Sequence, residues 1–161
     1  MKYKVVGYGS FLSHRSLAST IKNKAFTPVI IKGYKRIFNI ISEEEDYLDV
    51  LNIKKTSRAK LNGVLFFVTK RELEKLKQRE DIYHPHKVTC YDFTTKKNLG
   101  RAFTFIDHYY FIDKIHKKPH KQYFKLCRNA AYHISKEFGK YWDQTTYLSN
   151  GKKVATWIKR H

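Results

Sequence analysis

"AKLNGVLFFV" (59–68) runs without a break into "TKRELEKLKQRE" (69–80), and the join between the two decides the fold. The first segment is a continuous apolar run of strand length, the pattern of a central strand buried on both faces. Thr69 followed three residues later by Glu72 is a capping box, which starts a helix. Leu73 and Leu76 set the apolar stripe of that helix. Glu80 comes seven residues after Leu73, close to two full turns on, so its carboxylate projects toward the same buried side. It also stands at the helix C-terminus, where the macrodipole disfavours negative charge. Both influences raise the expected pKa and make Glu80 a candidate proton acceptor near neutral pH. The plainer alternative is a surface glutamate paired with Arg79 or Lys75. Asp81 points away from the stripe and is the weaker candidate.

Outward on the N-terminal side, "VVGYGSFLS" (5–13) interrupts a strand that has barely begun with Gly7 and Gly9 around Tyr8. Glycines so placed mark backbone that turns sharply or lies close to something else. One reading is a tight turn between strand and helix. The other is a backbone cradle whose N–H groups receive an anion or a developing oxyanion. Ser13 is positioned to cap a short helix through Leu17 to Ile21. "PVIIKGYKRIFNI" (28–40) is β-rich with a bend or bulge at Gly33. "SEEED" (42–46) reads as a solvated loop and "YLDVLNI" (47–53) as a separate strand. "HKVTCYDF" (86–93) and "LGRAFTFI" (99–106) read as two strands around a turn at Lys96 to Asn98.

After Pro119 the periodicity becomes helical, with Tyr123, Leu126, Cys127, Ala130, Ala131, Ile134 and Phe138 on one expected face. "TTYLSNGKKVATWI" (145–158) reads as a hairpin turning at Asn150-Gly151. The sum is an α+β fold: a small mixed β-barrel-like sheet with flanking helices, in a single domain spanning 1–161.

Composition narrows the function classes. The chain has 161 residues, 42% hydrophobic and 16% aromatic, enough for a core without metal or disulfide staples. Cys90 and Cys127 are too few and too far apart for a disulfide framework or a zinc site, and both fall in apolar patterns. They are expected as buried, reduced thiols without a catalytic role, in a reducing compartment. The apolar run after Lys4 is too short for a signal peptide, and no stretch approaches membrane-spanning length. A soluble cytoplasmic protein is the expectation, with no membrane partner. "HPH" (84–86) lacks zinc-ligand spacing, no serine triad can be assembled, and neither metal nor cofactor is expected.

The net charge of +19, from 33 Lys and Arg against 14 Asp and Glu, is the strongest compositional signal. Basic residues are scattered from Lys2 to Arg160, densest in 114–121 and 151–161, as on a solvated surface. Any nucleic-acid binding is accordingly expected to be weak, non-specific and lost with salt.

Taken together, "GYGSFLS", "IKGYKRIFNI", "LNGVLFFV" running into a helix, and "REDIYHPHKVTCYDF" resemble the γ-glutamylcyclotransferase-like superfamily. "YHPHKVTCY" (83–91) is similar to the ChaC-like branch, and "PHKQYFKLCRNAA" (119–131) to a helix found late in many members. The resemblance spans about residues 3 to 138 and leaves the C-terminal segment, about 145–158, outside the matched part. It implies a small mixed barrel with flanking helices. It also implies cyclisation of a γ-glutamyl group to 5-oxoproline with release of a free amine or amino acid. In that superfamily the glutamate after the strand–helix unit is catalytic, here Glu80. The loop after the first strand binds substrate, here Tyr8, Gly9, Ser10, Phe11 and Leu12, with Tyr83 also placed at the pocket. Phe11 stands where many members carry Leu or Asn, and Asp81-Ile82 where a glycine is common. The substrate class would be a small γ-glutamyl compound: glutathione, a γ-glutamyl dipeptide, a γ-glutamylamine or a γ-glutamyl-masked metabolite. The competing reading is a basic nucleic-acid-binding module of the same fold without catalysis.

Overall fold

The segment 59–80 is the spine of the molecule. A computed structural model describes residues 2–22, 24–80, 83–107 and 111–159, and in it the two expected strands at 47–53 and 59–68 are one. Strand β3 (Leu48–Thr69) is continuous, and it pairs antiparallel along its length with β2 (Thr27–Ser42). The polar stretch Lys54–Arg58, which on composition separates two strands, stays in the ladder because β2 supplies partners to Lys54 and Lys55. The register shifts beside Gly33, whose φ of +86° supplies the expected bulge, and again beside Asn39. Leu61 to Phe66 and Val68 are buried, while Phe67 is exposed, so the run is buried on both faces for all but its last turn of the pleat.

The remaining strands are β1 (Lys2–Gly7), β4 (His84–Asp92), β5 (Asn98–Ile106) and the three-residue β6 (Thr146–Leu148). Their order is β3-β1-β5-β4-β2-β6, and β2 pairs again with β3. Five strands therefore form a ring-like sheet, with β6 outside it. β1 and β5 run parallel, as do β2 and β6, and the other pairs are antiparallel. The mixed α+β architecture expected from the sequence is what the chain adopts.

Among the described residues five α-helices flank the ring: α1 (His14–Ala18), α2 (Lys70–Arg79), α3 (Lys121–Ile134), α4 (Lys136–Thr145) and α5 (Val154–Ile158). Helix α2 has both bonds of the capping box between Thr69 and Glu72. Helix α1 is capped by Ser13 as expected but stops at Ala18, short of Ile21. The long helix expected after Pro119 is two helices. Ser135, with extended backbone, ends α3, and its side chain accepts from the Phe138 N–H to start α4. Within α3 the buried face is also shifted from the expected one: Phe124, Cys127 and Ala131 are buried, whereas Leu126 is 37% exposed.

The C-terminal hairpin is corrected as well. Gly151 takes a left-handed φ of +90°, and Leu148 N–H donates to Lys152 O, so the turn forms. Beyond it "VATWI" winds into α5 instead of a return strand, burying Val154 against the core. No helix among the described residues is long and apolar enough to cross a membrane.

Candidate active site

Gly7 ends β1, and the chain folds back so tightly that a Cβ there would lie 2.3 Å from Phe11 Cβ. A Cβ on Gly9 would lie 3.0 Å from Tyr123 Oη and 3.4 Å from the Leu51 side chain. Across the ladder, a Cβ on Gly63 would meet Gly7 O at 2.6 Å. Gly7 and Gly63 are required by this close approach, and at Gly9 a Cβ would be tight against Tyr123 and Leu51. Ser10–Leu12 then forms one 3₁₀ turn, closed by Leu12 N–H to Gly9 O (3.0 Å) and Ser13 N–H to Ser10 O (3.0 Å). The N–H groups of Gly9, Ser10 and Phe11 donate to no acceptor among the described residues, the open donor set found at the start of any helical turn.

The loop is gripped from behind by Arg36, which is 0% exposed. Its Nη1 donates to Asn62 O (2.5 Å) and Tyr8 O (3.3 Å), and its Nη2 to Asn62 Oδ1 (2.6 Å) and Thr145 Oγ1 (3.0 Å). Nε donates to Thr146 Oγ1 at 2.7 Å, and the guanidinium lies 5.2 Å from the Trp142 ring centroid. All these partners are neutral, and burial pulls the Arg36 pKa down to about 9.

Glu80 sits at the C-cap of α2, its N–H on Leu76 O and its carbonyl accepting from Tyr83 N–H (both 2.9 Å). Leu73 and Leu76 are buried, as the stripe requires, and Glu80 is half-buried above them. It lines a cavity of about 420 Å³ together with Tyr8, Gly9, Ser10, Phe11 and Tyr83. Burial pushes the Tyr8, Tyr83 and Tyr123 hydroxyls well above the usual phenol range, and the nearby Glu80 charge adds to each shift. The Glu80 carboxylate is therefore close to three phenols that stay protonated. Two of those protons are engaged: Tyr8 Oη donates to Phe105 O (2.6 Å) and Tyr83 Oη to Leu51 O (2.8 Å).

Six of the seven residues singled out in the sequence thus share one cavity. Leu12 does not: its side chain is buried away from the cavity, and its N–H is engaged by Gly9 O. Asp81 and Ile82 lie outside the described residues. The sequence reading passed over two elements of the lining. Arg79 reaches from the end of α2 to Ser16 O (2.8 Å), Ser16 Oγ (2.8 Å), Thr20 Oγ1 (3.0 Å) and Ser10 Oγ (3.4 Å). Its guanidinium lies 4.9 Å from the Phe11 ring centroid. The "SEEED" segment is a wall of the cavity and not merely a solvated loop: Glu43–Glu45 forms a 3₁₀ turn along its rim. Glu45 is tied there by His120, 3.0 Å away. Nearness to Glu80 in the chain was the available signal for Arg79; none existed for Glu43–Glu45, whose place depends on the β2–β3 pairing.

Cys90 and Cys127 are both buried free thiols, and burial pushes Cys127 up to about 12. Among the described residues no three His, Cys, Asp or Glu side chains are placed to hold a metal ion.

No protein-family model matches the chain, and no curated protein matches it in sequence. Solved structures do match. A γ-glutamyl cyclotransferase superposes with a TM-score of 0.76 at 16% identity, covering 100% of both chains. An uncharacterized protein from Homo sapiens gives 0.75 at 17% identity, covering 99% of this chain and 96% of its own. A γ-glutamyl cyclotransferase specific to glutathione, from yeast, gives 0.55 at 11% identity over 100% of both. The chain has the fold of these γ-glutamyl cyclotransferase-like proteins. The match takes in the C-terminal segment 145–158, which the resemblance in sequence left out.

Proposed function

We propose that the protein is a γ-glutamylcyclotransferase-like enzyme that converts a small γ-glutamyl compound to 5-oxoproline and a free amine or amino acid. The observation that carries this reading is the Glu80 carboxylate on the same cavity wall as the Tyr8–Phe11 loop and its undonated N–H groups. In the reaction the substrate's own α-amine attacks its γ-amide carbonyl. Because the nucleophile is tethered, proximity removes much of the barrier. Glu80 takes one proton from the α-ammonium, and the freed amine attacks, so that the new C–N bond leaves the ring nitrogen with two protons and a positive charge. The tetrahedral oxyanion then collapses, and the old C–N bond breaks as Glu80 gives its proton to the departing amine. The ring nitrogen's surplus proton passes through the regenerated carboxylate to that amine, which leaves as an ammonium.

The N–H groups of Gly9, Ser10 and Phe11 are the donors for the substrate carboxylate or the oxyanion. Ser10 adds a hydroxyl, while Tyr8, Phe11 and Tyr83 wall the pocket and limit water around the reacting amide. The phenol protons of Tyr8 and Tyr83 are engaged by carbonyls, and Glu80 is assigned the proton transfers because it is the carboxylate beside the Tyr8–Phe11 loop and Tyr83. The two buried free thiols favour a reducing, cytoplasmic setting.

The test is incubation with glutathione, γ-glutamyl dipeptides and γ-glutamylamines, with 5-oxoproline followed by mass spectrometry. Release from at least one class, abolished in Glu80→Gln, is the expected result. A folded protein that forms no 5-oxoproline from any of them would overturn the reading.

A further inference from the structure

Strands β2 and β3 carry like charges on facing positions. Lys32 lies opposite Lys60 and Lys35 opposite Lys54 in the antiparallel register, and Lys55 faces Tyr34. Opposed residues in such a pair have Cβ atoms roughly 5 Å apart, and like charges there are destabilising. Arg58, left-handed at φ 64°, stands on the excursion of β3 that answers the Gly33 bulge. Five of these six cations are exposed and Lys35 is half-buried. Among the described residues none of the six is paired with a carboxylate, whereas Lys24, Lys77 and Arg128 elsewhere are. Burial, and then the Lys54 charge beside it, hold the Lys35 ammonium below its ordinary range.

Two half-buried rings interleave with the cations. Lys32 Nζ lies 4.3 Å from the Tyr91 ring centroid, and Lys35 Nζ 4.7 Å from that of Tyr147. None of these residues lines the cavity that holds Glu80. The large exposed apolar side chains of the described residues, Tyr47, Phe67, Phe111, Ile115 and Leu126, all lie elsewhere in the chain. The patch therefore offers charge and aromatic faces without an apolar anchor for lipid.

We propose that this stretch of the β2–β3 ribbon binds single-stranded nucleic acid, its facing lysines neutralising phosphates and Tyr91 and Tyr147 stacking bases. Unrelieved cross-strand repulsion costs the free protein stability, and a polyanion laid along the ribbon removes that cost. Aromatic rings between cations are what a single strand, with its bases turned out, can use. Recognition of this kind reads no sequence and weakens steeply with salt.

Fluorescence anisotropy with a short labelled oligothymidylate, titrated over a series of salt concentrations, tests it. Changing Lys54 and Lys60 together to Glu should weaken binding at low salt by roughly tenfold or more. It should also flatten the log–log salt slope by about 1.4, at about 0.7 for each phosphate no longer neutralised. The control changes Lys121 and Lys125 to Glu on exposed positions of α3. It carries the same charge change and should cost less than about threefold. Thermal melting of the Lys54/Lys60 variant should be unchanged or higher, since repulsion is relieved; if it melts early, the Lys54→Gln, Lys60→Gln pair replaces it in the same titration. Equal losses in patch and control variants would overturn the proposal, as would no binding at low salt. Binding to phosphatidylserine vesicles without binding to the oligonucleotide would overturn it too. Formation of 5-oxoproline is read separately, so the fate of this surface and that of the catalytic reading are distinguished.

Discussion

Arg36 and Arg79 hold the same loop from opposite sides, and neither does so through a carboxylate. Arg36 grips it at Tyr8 O from within the sheet, fully buried, with Asn62, Thr145 and Thr146 filling its remaining donors. Arg79 grips it at Ser10 and Ser16 from the rim of the cavity, half-buried beside Glu80. A buried cation supplied with neutral oxygens on every side has no spare capacity, so the Arg36 region is scaffold. A cation on a cavity wall can exchange one of its partners for a ligand. The difference separates what builds this site from what works in it.

The sharpest way to break that division is Glu80→Gln. The amide keeps size and most hydrogen bonds but takes no proton at neutral pH. Turnover of any γ-glutamyl substrate should fall by roughly 10²–10⁴-fold, the range for losing a general base, while the melting temperature stays put. Wild-type turnover would move Glu80 from the working half to the building half. Glu72→Gln is the comparison, because Glu72 caps α2 and pairs with Lys24 away from the cavity. It should cost stability and little activity.

Arg36→Met should do the reverse. It leaves Asn62 O, Asn62 Oδ1 and the Tyr8 carbonyl buried without their donor, at about 1–3 kcal/mol for each unsatisfied group. A loss of several kcal/mol is a large part of an ordinary folding free energy. Chemical denaturation should show it plainly. A midpoint near that of the wild type would mean the clamp is dispensable.

Arg79→Gln should show a smaller effect, divided between the two halves. The side chain pins Ser10, Ser16 and Thr20 and stands beside Glu80 on the cavity wall. KM should rise by roughly tenfold, about 1.4 kcal/mol, with kcat lowered less and the pH profile of kcat unmoved. Arg79→Lys should recover part of the loss. A change confined to melting temperature would return Arg79 to the scaffold.

How much of this was legible in the sequence depends on the range of the forces. The Thr69–Glu72 cap, the Leu73/Leu76 stripe and Glu80 beyond it lie within one helix, where spacing fixes direction. The glycines of the first loop were legible as backbone in tight quarters, though not that Tyr123 and Phe11 were what they had to admit. Ser135 hid the break between α3 and α4, because an extended serine between two good helical stretches leaves the periodicity nearly intact. The same holds for "VATWI", whose β-branched residues suit a strand until Val154 finds a buried place as a helix. Arg36 was invisible as a hub: its partners come from three separate parts of the chain, Tyr8, Asn62 and, more than a hundred residues downstream, Thr145 and Thr146.

A further prediction concerns pH and lies at Asp49 on β3, outside the lining of the cavity. Asp49 is buried, with Asp113 as its side-chain neighbour, and Asp113 itself accepts from the N–H groups of Ile115 and Lys117. Burial first, then Asp113, push Asp49 up to about 9, while Asp113 goes down. A carboxyl with a raised folded pKa binds more protons folded than unfolded. Stability from this group therefore falls as pH climbs from about 4 toward about 9. Asp49→Asn, which keeps the size and carries no titrating group, should flatten the decline and melt higher than the wild type at pH 8. The wild-type slope persisting in the variant would remove the pair from the account.

The placement of β1 between β3 and β5 has a consequence for how the molecule is made. A chain leaving the ribosome emits β1 first, yet its two neighbours end at residues 69 and 106. The β2–β3 ribbon, joined by a short local turn, can form early, and long-range closure is the slow part of folding such a topology. Tyr8, Gly9 and Ser10 hang from the end of β1, so the cradle exists only once the ring has shut around it. Partly made chains carry Glu80 before the cavity it lines exists, and that cavity is completed with the last strand to be seated.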